Sequence, residues 1–249
     1  MKVLLCSSEV VPFAKTGGLA DVAGALPLAL ENIGIEVIVA MPKYKAIDEA
    51  KFGLKKLSQD IYTAKLGKGI IVYFIENKKY FYRDGLYGTK EGDFADNPER
   101  FAYFSRRVLD LLPQIKFKPE VIHCNDWQSA LIPVYLKTIY KEKPFYQDIK
   151  TMLTIHNLAY QGLFDKKEFP KLGLSWDLFN MEGLEFYDKV SILKGGIAFC
   201  DIITTVSQAY AQEIQAKEFG CGLEGLLNKR KEVLFGVING LDYEQWDPA

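Results

Sequence analysis

The stretch that decides how this chain folds is Lys15-Thr16-Gly17-Gly18-Leu19-Ala20-Asp21-Val22-Ala23-Gly24. A short apolar run precedes it at residues 3–6, and apolar side chains then recur with helical spacing from Leu19 to Ile33. A second apolar run, at residues 36–41, ends at Pro42. Strand, loop, helix and strand in this order predict a βαβ unit and hence a parallel sheet. Pro27 lies inside the helical pattern, where we expect it to kink or break the helix.

Residues 15–18, the Lys15 loop, have the composition of an anion site. Backbone N–H groups at a helix start are unpaired and carry partial positive charge, and glycines let an anion approach them closely. Lys15 adds a full positive charge, so the loop predicts a seat for a phosphate or diphosphate. It matches neither the Walker motif nor G-x-G-x-x-G. A plain turn at Gly17 and Gly18 beside a solvated lysine therefore stays an alternative.

Composition indicates a soluble, globular protein. The 249 residues suffice for one large α/β domain or two small ones, and a hydrophobic fraction of 49% suffices for a core. Lysine and arginine number 31 against 32 aspartates and glutamates, which gives a formal net charge of −1. This balance excludes the basic surface typical of proteins that bind nucleic acid or anionic membranes. Any charged ligand must therefore be held by local groups.

Cysteine usage bears on the compartment. Cys6, Cys124, Cys200 and Cys221 lie far apart without C-x-x-C spacing, and we interpret them as small buried side chains in a reducing environment. The first apolar run is too short for a signal peptide, and no apolar stretch of about 18 residues is present. We therefore expect a cytoplasmic protein, or a mature chain whose targeting segment was removed, as in a processed plastid protein.

The rest of the chain predicts alternating strands and helices around a less regular middle. Residues 70–75 and 80–82 are interpreted as hairpin-like strands, and residues 83–97 as a long glycine-rich loop. Asp96, with Glu99 three residues later, is predicted to cap a helix with an apolar face from Phe101 to Leu112. Further predicted elements are strands at residues 121–124, 151–155, 202–206 and 233–238, helices at residues 127–140 and 190–199, and a helix capped by Ser207.

Polar residues collect where the predicted parallel strands end, which is where open α/β sheets bind their ligands. Ser7, Ser8 and Glu9 follow the first strand, and Asn125-Asp126-Trp127, His156-Asn157 and Asn239-Gly240 follow later ones. Because these ends meet at one edge of a parallel sheet, the four groups predict a single ligand site.

Structural explanations compete at several of these positions. His123, inside an apolar strand, is interpreted as a core histidine, while Asp126 as a helix cap and Trp127 as a packing residue are alternatives to ligand roles. His156 and Asn157 need hydrogen-bond partners, which a ligand rich in hydroxyl groups would supply. The two histidines lack zinc-site spacing, and no Gly-x-Ser-x-Gly motif supports a catalytic triad. A phosphate seat facing a sugar-sized pocket suggests a nucleotide-sugar enzyme.

Six motifs along nearly the whole chain together resemble the bacterial glycogen synthases and plant starch synthases of glycosyltransferase family 5. They are Lys15-Thr16-Gly17-Gly18-Leu19-Ala20-Asp21-Val22, Asn125-Asp126-Trp127, Thr154-Ile155-His156-Asn157-Leu158-Ala159-Tyr160-Gln161-Gly162, Thr205-Val206-Ser207, Gly222-Leu223-Glu224-Gly225, and Ile238-Asn239-Gly240-Leu241-Asp242 with Trp246-Asp247-Pro248. The family has two facing Rossmann-like domains, the GT-B fold. The resemblance implies an α/β fold for residues 1–249, with a Rossmann-like, mostly parallel sheet and helices on both faces, as the N-terminal, acceptor-side half.

The resemblance also implies a reaction. The family transfers glucose from ADP-glucose to the non-reducing end of an α-1,4-glucan or maltooligosaccharide, with retained configuration. It implies that Lys15, Gly17 and Gly18 bind the donor phosphates, and that His156 and Asp126 are the catalytic residues at the donor glucose. Further implied substrate-binding residues are Asn239, which lines the sugar site, and the weaker candidates Asp21, Tyr87, Trp127 and Asn157. No metal ion and no cofactor is implied, and the implied partner is a C-terminal synthase domain.

The sequence departs from the family pattern at three points. Gln128 stands where many relatives have histidine, so no titrating role is expected there, and Leu241 replaces the usual isoleucine or valine. The chain also stops where the family crosses into its second domain, so we expect an N-terminal half that is inactive alone. Two other functions remain open. One is a non-catalytic glucan-binding module with Tyr87, Trp127 and Tyr160 as stacking residues, and the other is a different GT-B enzyme, such as a phosphorylase or sucrose-type synthase.

Overall fold

The first βαβ unit is the one that the sequence predicts. In the computed structural model, which describes residues 1–240, β1 (Lys2–Cys6), α1 (Gly18–Asn32) and β2 (Glu36–Pro42) follow one another, and β1 pairs with β2 in parallel. The expected break at Pro27 does not occur, because α1 continues through the buried proline. Burial of one face of α1 offsets the hydrogen bond that proline cannot donate.

The other elements continue in chain order. The remaining strands are β3 (Lys55–Lys56), β4 (Ile61–Leu66), β5 (Ile70–Ile75), β6 (Gly88–Thr89), β7 (Gly92–Asp93), β8 (Val121–Asn125), β9 (Lys150–Ile155), β10 (Leu163–Asp165), β11 (Glu185–Phe186), β12 (Lys189–Ser191), β13 (Ile202–Thr205) and β14 (Leu234–Gly236). The remaining helices are α2 (Lys78–Phe81), α3 (Asn97–Gln114), α4 (Asp126–Ser129), α5 (Leu131–Lys137), α6 (Ile192–Phe199), α7 (Gln208–Glu213) and α8 (Glu224–Lys229). Short 3-10 helices cover Pro144–Tyr146, Lys166–Leu172, Trp176–Leu178 and Lys231–Val233.

One sheet of nine strands organises the part of the chain that the structure describes, in the order β14-β13-β9-β8-β1-β2-β5-β4-β3. Neighbours from β14 to β5 are parallel, and β4 and β3 are antiparallel additions at one edge. The predicted α/β fold with a mostly parallel sheet is therefore confirmed. From β1 the chain builds the sheet towards β5 and then returns to build it towards β14, so the strand order reverses between β1 and β8. Open α/β sheets bind ligands at such a reversal.

Helices cover both faces of this sheet. α1 packs on β2 and β5, whereas α4 packs on β8 and β9 and contacts α3, α5 and α6. Because parallel crossovers are right-handed, connections that run in opposite directions across a sheet place their helices on opposite faces. The apolar stripe of α3 is buried as its spacing predicts, at Phe101, Phe104, Val108, Leu111 and Leu112.

The predicted strand at residues 80–82 is wrong. These residues belong to and follow α2, because the Asn77 side chain accepts a hydrogen bond from the backbone N–H of Lys79 (3.1 Å) and starts a helical turn. The other predicted strand of this region is confirmed as β5, which pairs with β2 in parallel and with β4 in the antiparallel direction. The long loop that follows also contains the small antiparallel pair of β6 and β7.

The predicted capping box at the start of α3 is also wrong. Asp96 occupies the N-cap position, but its carboxylate accepts hydrogen bonds from Arg83 (2.9 and 3.0 Å) and none from the N–H groups of α3. Glu99 accepts hydrogen bonds from the side chains of Lys79 and Tyr80. Asp96 and Glu99 thus bind side chains of the preceding loop and of α2, and do not cap α3.

Several other predicted boundaries shift. The helix predicted at residues 127–140 is divided into α4 and α5 at Ala130, and the helix predicted at residues 190–199 begins at Ile192, because the two preceding residues belong to β12. The last strand is limited to Leu234–Gly236. The predicted cap at Ser207 is confirmed, since its Oγ accepts a hydrogen bond from the N–H of Tyr210 (2.9 Å).

Two parts of the last sequence motif, Leu241-Asp242 and Trp246-Asp247-Pro248, lie outside the described residues. Among residues 1–240, no helix has both the length and the apolar character that crossing a membrane requires.

The close packing of α6 gives a testable prediction. A Cβ atom at Gly196 would lie 2.5 Å from Cβ of Ala130 and 2.9 Å from Cδ2 of Leu153. We therefore expect Gly196→Ala to lower the free energy of unfolding by about 1–3 kcal/mol, as overpacked core substitutions do. The matched control is Gly225→Ala in α8, where a Cβ atom meets nothing within 4 Å. That change should leave stability equal or raise it by up to about 1 kcal/mol. Urea unfolding monitored by circular dichroism measures both, and equal effects would contradict the packing argument.

Candidate functional site

The residues that follow three adjacent strands form the candidate site. Glu9 follows β1, Asp126 follows β8 as the first residue of α4, and His156 follows β9. Because β1 pairs with β8, and β8 with β9, these three positions are neighbours at the reversal of strand order. The Lys15 loop belongs to the same edge, since it connects the end of β1 to the start of α1.

The side-chain amide of Asn125, the last residue of β8, ties these strands together. Its Nδ2 donates a hydrogen bond to the carbonyl oxygen of Cys6 (3.1 Å), and its Oδ1 lies 3.0 Å from Nε2 of His156. Since Nδ2 is already used on a carbonyl, Oδ1 is the acceptor and Nε2 of His156 carries the proton. Sequence reasoning gave Asn125 no role of its own, although its place at the end of a central strand was visible.

His156 is a neutral group at pH 7. Burial lowers the pKa of the His156 imidazole to about 4, because the charged form loses hydration. With the proton on Nε2, Nδ1 is left as an acceptor that can take a hydrogen bond from a hydroxyl group. The ring can therefore orient a sugar, but it does not supply a positive charge.

Asp126 has an unusual backbone and a buried carboxyl group. Its φ is +53°, in the left-handed region that favours glycine, asparagine and aspartate. Its Oδ1 accepts a hydrogen bond from the backbone N–H of His156 (2.8 Å), and the nearby N–H of Asn157 also favours the charged carboxylate. Burial raises the pKa of Asp126 to about 7 against the opposing effect of these N–H groups, and the nearby Glu9 raises it further. Asp126 therefore fixes the loop after β9 and titrates near neutrality.

The Lys15 loop is held by Glu9, which the sequence placed in the polar cluster but to which it gave no role. The N–H groups of Thr16 and Gly17 both donate to Oε2 of Glu9, the second at 3.2 Å. Lys15, about half exposed, pairs with Asp21 at 2.7 Å. Of the N–H groups predicted to receive a phosphate, the one on Gly17 thus has a protein acceptor. That of Gly18, the other predicted one, has none within the described residues, and neither has that of Leu19, which was not predicted and follows it in α1.

Tyr87, in the long loop, is hydrogen-bonded to residues that follow β1. Its hydroxyl donates to Oε1 of Glu9 (2.6 Å) and lies 2.6 Å from Oγ of Ser8. Because the phenol proton is used on a carboxylate, Ser8 is the donor in the second bond. Burial raises the pKa of Tyr87 well above its usual value. The phenol therefore belongs to a protein network and does not present its hydroxyl to solvent.

Three other predicted residues lie outside this network. Trp127 is 7% exposed and packs edge-on against Phe101 (4.9 Å between ring centroids) and Phe164 (5.6 Å). The exposed Asn157 uses its Oδ1 to accept the N–H of Ala159 (3.0 Å). Asn239 is exposed after β14, and β13 lies between β14 and β9, the strand that precedes His156.

Asn239 borders a groove of ≈ 930 Å³ between α1 and the strands β8, β9 and β13. His123 also faces this groove, with Nε2 2.6 Å from Oγ1 of Thr154, which lies 2.6 Å from Oγ1 of Thr204. Burial lowers the pKa of His123 to about 3. These contacts support the interpretation of His123 as a satisfied core histidine.

Residues 1–240 contain no group of three or more histidine, cysteine, aspartate and glutamate side chains that could hold a metal ion. Cys6, Cys124 and Cys200 are buried, and Cys221 is exposed, all as free thiols.

Comparison with known sequences identifies relatives of this chain. The family described as the starch synthase catalytic domain matches residues 2–229. The glycogen synthase of Syntrophotalea carbinolica is 50% identical, and the match covers 100% of this chain and 54% of that protein. The glycogen synthase of Moorella thermoacetica is 48% identical, with 100% and 52% covered. The chain thus spans about half the length of the curated relatives it matches.

Solved structures agree with this result. The catalytic domain of starch synthase IV from Arabidopsis thaliana, bound to ADP and acarbose, superposes with a TM-score of 0.89 at 33% identity, covering 100% of this chain and 53% of that chain. A sucrose-phosphate synthase from Thermosynechococcus elongatus gives a TM-score of 0.52 at 12% identity, covering 98% and 49%. The second likeness is one of fold alone.

The raised pKa of Asp126 predicts a pH-dependent stability. The unfolded carboxyl has a pKa near 3.9, whereas the folded one titrates at about 7, so the folded state binds the proton more tightly between these values. Stability should therefore fall as pH rises from about 4 to about 7, by at most about 4 kcal/mol at 1.36 kcal/mol per unit. Asp126→Asn, which tolerates the left-handed backbone, should lack this contribution.

Urea unfolding of the chain and of Asp126→Asn at about pH 4.5 and about pH 7.5 measures this difference. The control is Asp84→Asn, since this residue has an 89% exposed side chain. A wild-type chain that loses no more stability across this range than Asp126→Asn would contradict the assignment.

Proposed function

The chain belongs to the starch synthase catalytic domain family, and we propose that it is the N-terminal half of a glycogen or starch synthase. The complete protein would transfer glucose from ADP-glucose to the non-reducing end of an α-1,4-glucan, with retained α configuration. Its acceptor would be a glucan or maltooligosaccharide, and its second partner a C-terminal domain. The match covers only 54% of the Syntrophotalea carbinolica relative, which supports a further domain.

The observation that carries this proposal is that a set of backbone N–H donors and a cluster of polar side chains lie at the same edge of the sheet. The Lys15 loop leads into α1, where the N–H groups of Gly18 and Leu19 have no acceptor among residues 1–240. Across the reversal of strand order, His156 and Asp126 form a hydrogen-bonded polar cluster. The first group suits a diphosphate and the second a sugar, which are the two parts of a nucleotide-sugar donor.

Each residue has a role that follows from its chemistry. As ADP departs, negative charge grows on the diphosphate, and Lys15 with the N–H groups at the start of α1 would stabilise it. His156, neutral and held by Asn125, would orient the donor glucose by accepting a hydroxyl proton at Nδ1. Asp126 would hold the His156 backbone in place, and its charged form would favour the positive charge that develops on the sugar.

ADP and acarbose are bound in the related starch synthase IV structure, which supports a nucleotide diphosphate and an α-glucan-like ligand for this chain. The buried free thiols Cys6, Cys124 and Cys200 support a reducing, cytoplasmic location as part of the same proposal.

The competing functions have less support. A glucan-binding module needs exposed stacking rings, but Trp127 is core and the Tyr87 hydroxyl is bound to Glu9, so only Tyr160, 67% exposed, is free to stack. A sucrose-type enzyme is supported by likeness of fold alone.

The proposal predicts that the chain alone is inactive. The 249-residue chain should not elongate maltooligosaccharides measurably from ADP-glucose, because half of the donor site would be missing. Activity should appear in the joined protein, defined as this chain followed by the part of the Syntrophotalea carbinolica relative beyond the matched region. Chromatography of product lengths with ADP-, UDP- and GDP-glucose measures both. An active isolated chain contradicts the half-site proposal, and a joined protein that ignores ADP-glucose contradicts the function.

A second prediction concerns Lys15. In the joined protein, Lys15→Ala should raise the KM for ADP-glucose about 10- to 100-fold, since a charged hydrogen bond to phosphate is lost, and should change the KM for the glucan little. The control is Lys141→Ala, an exposed lysine after α5, which should change neither constant. Steady-state kinetics with each substrate varied in turn separates the two. An unchanged donor KM in Lys15→Ala would remove the phosphate assignment.

A further inference from the structure

Glu9 is a buried carboxylate, 3% exposed, that is surrounded by hydrogen-bond donors. Its Oε1 accepts from the hydroxyls of Thr16 (2.6 Å) and Tyr87 (2.6 Å), and its Oε2 accepts from the N–H groups of Thr16 and Gly17. All four contacts need an acceptor, which a carboxylate supplies on both oxygens and an amide only on one. The site is therefore built for a carboxylate.

Three of these four bonds reach the Lys15 loop immediately before α1. They fix the backbone at Thr16 and Gly17, although Gly17 at the N-cap position has no side chain with which to cap the helix. The carboxylate thus accepts from the N–H of the N-cap residue itself, as the glutamate of a capping box does, and not from the later N–H groups that an N-cap side chain serves. The next two N–H groups, on Gly18 and Leu19, have no acceptor in the part of the chain that the structure describes.

The fourth bond links Glu9 to the long loop that carries Tyr87. That loop is anchored to α3, because Nδ2 of Asn97 donates to the carbonyl oxygen of Tyr87 (2.9 Å) and Nη2 of Arg100 donates to that of Leu86 (2.9 Å). Arg100 is itself fully buried. A continuous set of hydrogen bonds therefore runs from α3 through Tyr87 and Glu9 to the Lys15 loop.

We propose that Glu9 is a positioning residue for the donor: its carboxylate holds the Lys15 loop in the conformation that receives the diphosphate and joins that loop to the Tyr87 loop. This inference rests on the proposed transferase function. Glu9 touches no reacting atom in this role. It acts through Thr16 and Gly17.

Glu9→Gln tests the proposal sharply, because it keeps the size of the side chain but turns one of the two acceptors into a donor facing other donors. The matched control is Glu120→Gln. Glu120 is an exposed glutamate that accepts the N–H of Lys2 (3.0 Å), at the opposite end of β1.

The first measurement is amide hydrogen exchange by NMR on the chain itself. Glu9→Gln should speed exchange at Thr16 and Gly17 about 10- to 100-fold, the loss of a charged hydrogen bond, while amides of β1 keep their rates. Glu120→Gln should leave Thr16 and Gly17 unchanged. Unchanged exchange at both amides in Glu9→Gln would overturn the proposal.

The second measurement is steady-state kinetics of the joined protein. Glu9→Gln should raise the KM for ADP-glucose about 10- to 100-fold and change the KM for the glucan less. Equal changes in the two constants, or none, would overturn the donor role. If wild-type joined protein does not use ADP-glucose, the proposed function fails. The exchange measurement still decides whether Glu9 holds the loop.

A second pair of variants keeps the test valid if Glu9→Gln does not fold. Thr16→Ser retains the hydroxyl that donates to Glu9, whereas Thr16→Val removes it and keeps the branched shape. Thr16→Val should raise the donor KM at least about threefold, and Thr16→Ser should restore the wild-type value within about twofold, as expected for one hydrogen bond. Equal donor KM values for the two variants would overturn the proposal.

Discussion

The reversal of strand order beside β1 is the constraint on which the rest of this structure depends. Because the chain builds the sheet outward from β1 in both directions, the carboxyl ends of β1, β8 and β9 lie side by side at one edge. Asn125 makes this arrangement specific, since one amide binds the carbonyl of Cys6 and the ring of His156. The strand order thereby sets the position of His156, and the hydrogen bond to Asn125 sets its tautomer.

The electrostatics of the site follow from its burial. Asp126 and Glu9 are both carboxylic acids with little exposure, and each is surrounded by N–H or O–H donors and not by a direct cationic partner. Lys15 is already paired with Asp21. A diphosphate at this edge would therefore be held by backbone N–H groups and by Lys15, which would exchange its ion pair with Asp21 for one with the phosphate. This is a modest amount of positive charge, which is consistent with the proposal that this chain supplies half of the donor site.

Much of the fold was predictable because it depends on local patterns. The apolar runs at β1, β2, β8, β9 and β13 mark buried parallel strands, and the polar residues just after them mark the site edge. What the sequence did not reveal depends on pairs far apart in the chain. Arg83 takes the Asp96 carboxylate away from the helix it was expected to cap, and Tyr87 meets Glu9 across 78 positions. Asn77 starts a helix in a run whose aromatic residues favour a strand.

The left-handed backbone at Asp126 restricts how this family can vary. Side chains other than glycine, asparagine and aspartate are disfavoured at a φ of +53°, and of these glycine has no oxygen for the N–H of His156. Of the residues that this backbone favours, only aspartate and asparagine can therefore accept the hydrogen bond from the N–H of His156.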